Sequence, residues 1–145
     1  MKISAKTEYA CIAMLELASR YGAREPVRIR KIAERHGVPP RFLVQILLQL
    51  KGAGFVASTR GAAGGYHLIV PPDEVSLGQV MEVIEGGNKT ASAKACSASP
   101  DSPAVKVLLR AWQEVEAVER KMLHDISLAD LLTRTREQDE QMYNI

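Results

Sequence analysis

The stretch Ser58-Thr59-Arg60-Gly61-Ala62-Ala63-Gly64-Gly65-Tyr66-His67-Leu68 constrains this chain more than any other. Three glycines within five residues let a backbone reverse tightly and approach another molecule closely, because glycine reaches positive φ and carries no Cβ. Phe55-Val56-Ala57-Ser58 before the turn and Tyr66-His67-Leu68-Ile69-Val70 after it are short and apolar, and Pro71-Pro72 closes the second, so the pair reads as a hairpin. Two strands alone are marginal in water. The hairpin must therefore lie on helices.

The preceding residues supply them. Ser4 reads as the N-cap of a long first helix with Ala10, Met14, Leu17, Ala18 and Tyr21 at helical spacing and Gly22 as its stop. Cys11, inside this helix, reads as a small buried hydrophobe. Val27-Arg28-Ile29 opens a second helix with Ile29, Ile32 and Ala33 on one face and Gly37 at its end. Pro39-Pro40 starts a third, in which Leu43, Ile46, Leu47 and Leu50 follow the i, i+3, i+4, i+7 spacing of a core face before Gly54. Two short helices joined by a tight glycine-bearing turn form a helix-turn-helix pattern. The opposite face of the third helix offers Arg41, Gln45 and Gln49, able to donate to phosphates and base edges. Ser76 with Gln79 has the capping-box spacing for a fourth helix through Leu77, Val80 and Ile84, ended by Gly86-Gly87. The expected fold is mainly α with a small β-hairpin: a winged helix-turn-helix domain over residues 1–85, followed by a long dimerisation helix.

Residues 86–103 contain no large apolar side chain and read as a flexible linker. From residue 104 to 125 runs the longest helical pattern, about 33 Å at 1.5 Å per residue. Its Leu108, Ala111, Trp112, Val115, Val118 and Met122 form a seam suited to a partner helix, the expected dimer interface. Ser127 and Asp130 cap a last short helix through Leu131-Leu132, completing a dimerisation segment over 104–135. Residues 136–145 read as a polar tail. Charge divides the same way: residues 1–70 carry eleven Lys or Arg against four acids, a net of +7, while residues 71–145 carry eight against thirteen, a net of −5. A polyanion-binding head on an acidic, self-associating tail has this distribution.

Enzyme chemistry finds little support. The glycine-rich turn lacks the Gly-Lys-Ser/Thr ending of a phosphate-binding loop, and His36, His67 and His124 stand apart from any metal or nucleophile-base spacing. Two cysteines, Cys11 and Cys96, are too few for a disulfide framework or a four-thiolate zinc site in one chain. No run of 18 apolar residues and no secretion signal are present, so a cytoplasmic protein that does not engage membranes is expected. Double-stranded DNA is the expected partner: Lys6, Arg28, Arg30 and Lys51 would neutralise phosphates, Arg41 and Gln45 would meet base edges in the major groove, and Arg60 would lie along the adjacent minor groove.

Ser4-Ala5-Lys6 with Tyr9-Ala10, Ile32-Ala33-Glu34-Arg35, Phe42-Leu43 with Gln45-Ile46-Leu47, the stretch Ser58 to Tyr66, and Ile126-Ser127-Leu128-Ala129-Asp130-Leu131 together resemble a known family. It is the family of bacterial winged-helix regulators that includes the iron-sulfur regulator IscR, the nitric-oxide sensor NsrR and the cysteine-metabolism repressor CymR. The resemblance covers essentially the whole chain. It implies a homodimer crossed through the long helix, a roughly palindromic operator and, usually, repression. It also implies DNA contacts from Lys6, Tyr9, Arg41, Phe42, Gln45 and Arg60; Arg28, Lys51 and the wing residues Gly61, Gly64, Gly65 and Tyr66 complete the candidate surface. Val44 stands where many relatives carry a base-reading Glu. Relatives that hold an iron-sulfur cluster place three cysteines in the linker, whereas this linker has Cys96 alone, which implies the cluster-free, CymR-like branch with no metal cofactor and a link to cysteine, sulfur or redox metabolism. Cys96 is then a bystander or a redox-sensitive thiol. The ending Met142-Tyr143-Asn144-Ile145 is similar to the C-terminal isoleucine peptides that dock into cysteine synthase, with a functionless terminus as the alternative. Two other readings stay open: a winged-helix module that binds protein through Val44 and Leu48, and an iron-sulfur sensor with unusual ligands.

Overall fold

The computed structural model describes residues 1–86, 99 and 101–143. Cys96, Ile145 and most of the expected linker lie outside the described residues. The elements follow in the order α1 (Ala5–Ser19), α2 (Ile29–His36), α3 (Pro40–Gly52), β1 (Val56–Thr59), β2 (Gly65–Leu68), a single 3-10 turn (Pro72–Glu74), α4 (Leu77–Glu85), α5 (Pro103–Asp125) and α6 (Leu128–Tyr143). The fold is mainly helical with one antiparallel hairpin, in the register Val56↔Leu68, Ala57↔His67, Ser58↔Tyr66 and Thr59↔Gly65.

One core joins the first four helices to the hairpin. Ala10, Met14, Leu17 and Ala18 of α1, Ile32 and Ala33 of α2, Leu43, Ile46, Leu47 and Leu50 of α3, Val56 and Leu68 of the strands and Val80 of α4 are all buried. Each helix buries the stripe its 3.6-residue period predicts. Ser4 caps α1 by accepting from the Thr7 amide at 3.1 Å. The capping box at Ser76 is complete, the Gln79 amide donating to Ser76 Oγ at 3.2 Å and the Ser76 amide to Gln79 Oε1 at 2.8 Å.

Three local expectations change. Tyr21 is exposed, because α1 ends at Ser19 and leaves Tyr21 in the turn beyond it. Val27 does not open α2; it makes a backbone bridge to Tyr66, with the Val27 amide donating to the Tyr66 carbonyl at 2.7 Å and the Tyr66 amide returning 2.8 Å to the Val27 carbonyl. The hairpin thereby gains a third short edge. Finally, the last helix is not short. α6 runs on to Tyr143 through residues read as a polar tail. The Thr133 and Thr135 hydroxyls donate back to the Ala129 and Leu131 carbonyls, and Arg134, Arg136, Glu137, Gln138, Glu140 and Gln141 are good helix formers even without an apolar face.

α6 starts against the head. The Leu128 amide donates to the Val75 carbonyl at 2.8 Å and the Leu77 amide to the Ile126 carbonyl at 2.9 Å, so the caps of α4 and α6 lie side by side around a Ser76–Ser127 bridge. The α6 cap is itself reciprocal. The Asp130 amide donates to Ser127 Oγ, and Asp130 Oδ2 accepts from the Ser127 amide, both at 3.0 Å. Hydrogen bonds to its carboxyl from the Ser127 backbone amide first, and then from the Ser127 side chain, hold Asp130 below the ordinary carboxylate range. α5 is different in kind: none of its 23 residues is buried within the single chain.

Candidate nucleic-acid interface

α3 carries two opposed stripes. Leu43, Ile46, Leu47 and Leu50 point into the core with no exposed surface. Arg41, Val44, Gln45 and Leu48, offset by about half a turn at the same i, i+3, i+4, i+7 spacing, are all exposed. Gln49, expected on the outer face, sits instead at its margin, half-buried, with Oε1 shut off from solvent and lacking a hydrogen-bond partner. Half of the outward stripe is therefore aliphatic. Pro40 occupies the first turn of α3 and no side chain caps its N-terminus, leaving the positive end of the helix dipole beside Arg41.

The rest of the surface is assembled around this helix. The rings of Tyr9 on α1 and Phe42 on α3 lie 5.5 Å apart, tilted by 53°, and the Arg41 guanidinium sits 5.2 Å from the Phe42 ring centroid. These contacts place Arg41 on an aromatic platform and tie the N-terminal turns of α1, with Lys6, to α3. On the other side the wing is tethered twice. Lys51 at the end of α3 donates to Ser58 Oγ on β1 at 2.8 Å, and Arg28 ahead of α2 donates to the Ala62 carbonyl in the turn. Arg28 and Lys51, the expected phosphate contacts, are exposed and in addition hold the loop that presents the exposed Arg60.

The wing glycines serve the protein's own backbone. A Cβ on Gly64 would lie 2.3 Å from the Thr59 carbonyl oxygen, and one on Gly65 would lie 2.4 Å from that of Val27. Gly61 alone needs its backbone freedom, at φ +106° with open space around it. Tyr66 is half-buried and packs on the core from the strand beside it.

One residue that sets this geometry carried no motif. Glu16 is buried on α1 and accepts from Arg35 at 3.1 Å, with His36 at 3.2 Å, locking the C-terminal end of α2 to α1. An acid between Ala13 and Leu17 on an otherwise apolar face was the available signal.

Residues 3–134 match the Rrf2 family, described as an iron-dependent transcriptional regulator. The chain belongs to the Rrf2 family. Among its relatives, the helix-turn-helix-type transcriptional regulator CymR of Bacillus subtilis is 32% identical over the whole of both chains. A putative helix-turn-helix-type regulator of Mycobacterium tuberculosis H37Rv is 35% identical over 90% of this chain and 81% of its own. The solved structure of CymR, the global cysteine regulator of B. subtilis, superposes with a TM-score of 0.76 at 30% identity, covering 92% of this chain and 98% of that one. The structure of IscR from T. potens follows at 0.74 and 33%, covering 95% of this chain and 90% of that one. This Rrf2 protein is accordingly a winged helix-turn-helix, DNA-binding transcriptional regulator and not an enzyme.

The donors present bear directly on the iron of the family description. Among the described residues no group of three or more His, Cys, Asp and Glu side chains could hold a metal ion. The chain has two thiols, and burial, with Glu85 and Glu8 nearby, pushes that of Cys11 up to about 11, which disfavours the thiolate a metal needs. This donor set does not fit a cluster held within one chain. No helix among the described residues is long and apolar enough to cross a membrane.

Proposed function

We propose that this Rrf2 protein is a homodimeric repressor that grips a two-fold symmetric operator in the cytoplasm without a metal cofactor. The observation that carries the reading is the outward stripe of α3 flanked by Lys6 and Tyr9 on one side and by the tethered wing with Arg60 on the other, within the +7 half of the chain. α3 would enter the major groove by its N-terminal turns, Arg41 and Gln45 meeting base edges, while Arg60 reaches the neighbouring minor groove. Phe42 and Tyr9 would hold Arg41 in place, and Arg28, Lys51, Gly61, Gly64, Gly65 and Tyr66 would keep the wing in position.

The pairing of two copies rests on α5, whose Leu108, Ala111, Trp112, Val115, Val118 and Met122 are all exposed in the single chain. An apolar seam over several turns of helix is the kind of surface a second copy covers. CymR, similar over its whole length, supports a link to cysteine metabolism. Docking of the C-terminal residues into cysteine synthase belongs to the same reading, and the exposure of Met142 and Tyr143 at the end of α6 favours it.

The test is Arg60→Ala on operator DNA recovered from the genome by the purified protein. Binding should weaken by about five- to thirty-fold, or 1–2 kcal/mol, with the dimer intact in sedimentation. Unchanged affinity would remove the wing from the mechanism. A brown, iron-containing protein after anaerobic purification would contradict the cofactor-free reading.

A further inference from the structure

Two of the four side chains on the outward stripe of α3 are aliphatic, and the proposed polar contacts do not use them. Val44 and Leu48 are 48% and 56% exposed, one turn apart, interleaved with Arg41 and Gln45. None of the described residues covers them, although aliphatic groups of similar size one stripe away are fully buried. The residues around them identify the occupant. They share a helix face with a cation on an aromatic platform and an amide, next to a helix N-terminus and within a strongly basic half of the molecule, so the surface that meets them is an anionic one. The apolar feature that a major groove presents is the C5-methyl group of thymine. The four residues from Arg41 to Leu48 span about 10 Å at 1.5 Å rise per residue, close to three base-pair steps at about 3.4 Å each.

We propose that Val44 is a specificity-determining residue that reads a thymine methyl group in each half of the operator, beside the base met by Gln45, and that Leu48 extends the same apolar contact toward the next step. The proposal rests on the reading of α3 as the recognition helix. It differs from a hydrogen-bond code in what it discriminates: Val44 rejects no base by a missing partner, but it favours a methyl at C5 over a hydrogen at the same carbon. Burying one methyl group is worth about fourfold in affinity at roughly 0.8 kcal/mol. An operator chosen this way carries a thymine at that position in both half-sites, so the effect on a dimer is about sixteenfold.

The experiment replaces thymine by deoxyuridine, one symmetric pair of positions at a time, in an operator recovered with the wild-type protein. Deoxyuridine keeps every hydrogen-bonding group of thymine and lacks only the C5-methyl. Wild-type protein should lose about tenfold or more at one pair of positions, and Val44→Ala should lose most of that sensitivity there while keeping it elsewhere. Substituting 5-methylcytosine for cytosine at a variant site with C in that position should restore part of the wild-type affinity. Specific binding with indifference to deoxyuridine at every thymine would overturn the proposal and leave the recognition helix standing. Full methyl sensitivity retained by Val44→Ala would assign the contact to another residue and equally overturn it. A wild-type protein that shifts no DNA at low salt would overturn the underlying reading itself and favour a protein partner on this face. Val44 is exposed, so its truncation leaves the core untouched, and circular dichroism confirms that the variant is folded.

Discussion

At the scale of single residues, the wing shows how a sequence signal can be right about place and different in cause. Close backbone approach was the expected use of the glycines, and it occurs, but within the chain: Gly65 passes the Val27 carbonyl and Gly64 passes that of Thr59. Gly65→Ala must push Val27 and Tyr66 apart and break their paired hydrogen bonds, at a cost of about 2–3 kcal/mol. Thermal or urea unfolding measures this directly, and an unchanged midpoint would show that the bridge does not constrain the wing. Cys11 gives a second expectation. Its thiol is held up to about 11 from an ordinary 9.0 by burial first and by Glu85 and Glu8 after that. A pKa raised by folding favours the protonated form in the native state, so this contribution to stability is complete below about pH 9 and is lost as pH rises through 11. Unfolding free energies measured from pH 8 to 11 should fall, and Cys11→Ala should flatten the part of that fall due to the thiol. The same position should resist alkylation at neutral pH until the protein is unfolded.

At the scale of elements, α5 and α6 contrast. α6 is anchored at its start by Leu128 and the Ser127–Asp130 cap, then runs out as a helix polar on nearly every face. Its length was not legible because apolar periodicity is silent where helix propensity alone decides. α5 was legible in full as an amphipathic helix, and its apolar side is left bare by the single chain. Val115→Glu places a charge in the middle of that seam. We expect monomers at micromolar concentration in sedimentation velocity, with helix content unchanged because Val115 touches no core residue. A dimer that persists would move the interface elsewhere. Attachment of α5 to the head includes the contact of His124 Nε2 with Glu82 at 3.0 Å, across a space at Gly78 that admits no side chain.

At the scale of the whole molecule, charge separates head from tail, +7 against −5, and the basic half carries the tethered wing and the exposed stripe of α3. If the basic face of each copy neutralises about three phosphates, a dimer neutralises about six, and log K should fall against log salt with a slope near −5, roughly 10³-fold between 50 and 200 mM. Filter binding or anisotropy at several salt concentrations checks this; a flat dependence would argue against the basic face as the contact surface. Order along the chain determined much of this unaided. The periods of α1, α3 and α5, the caps at Ser4, Ser76 and Ser127 and the turn at Gly61 to Gly65 are local features, and local features can be read from neighbours in sequence. Tertiary structure alone decided what depends on distant partners: Arg28 and Lys51 became tethers of the wing, Val27 a strand edge, Glu16 the lock between α1 and α2, and Gln49 gave way to Leu48 on the outer face of α3. A basic or polar residue reads the same in sequence whether it meets solvent, a phosphate or its own fold, because its role is set by which carbonyl or carboxylate the folded chain brings to it.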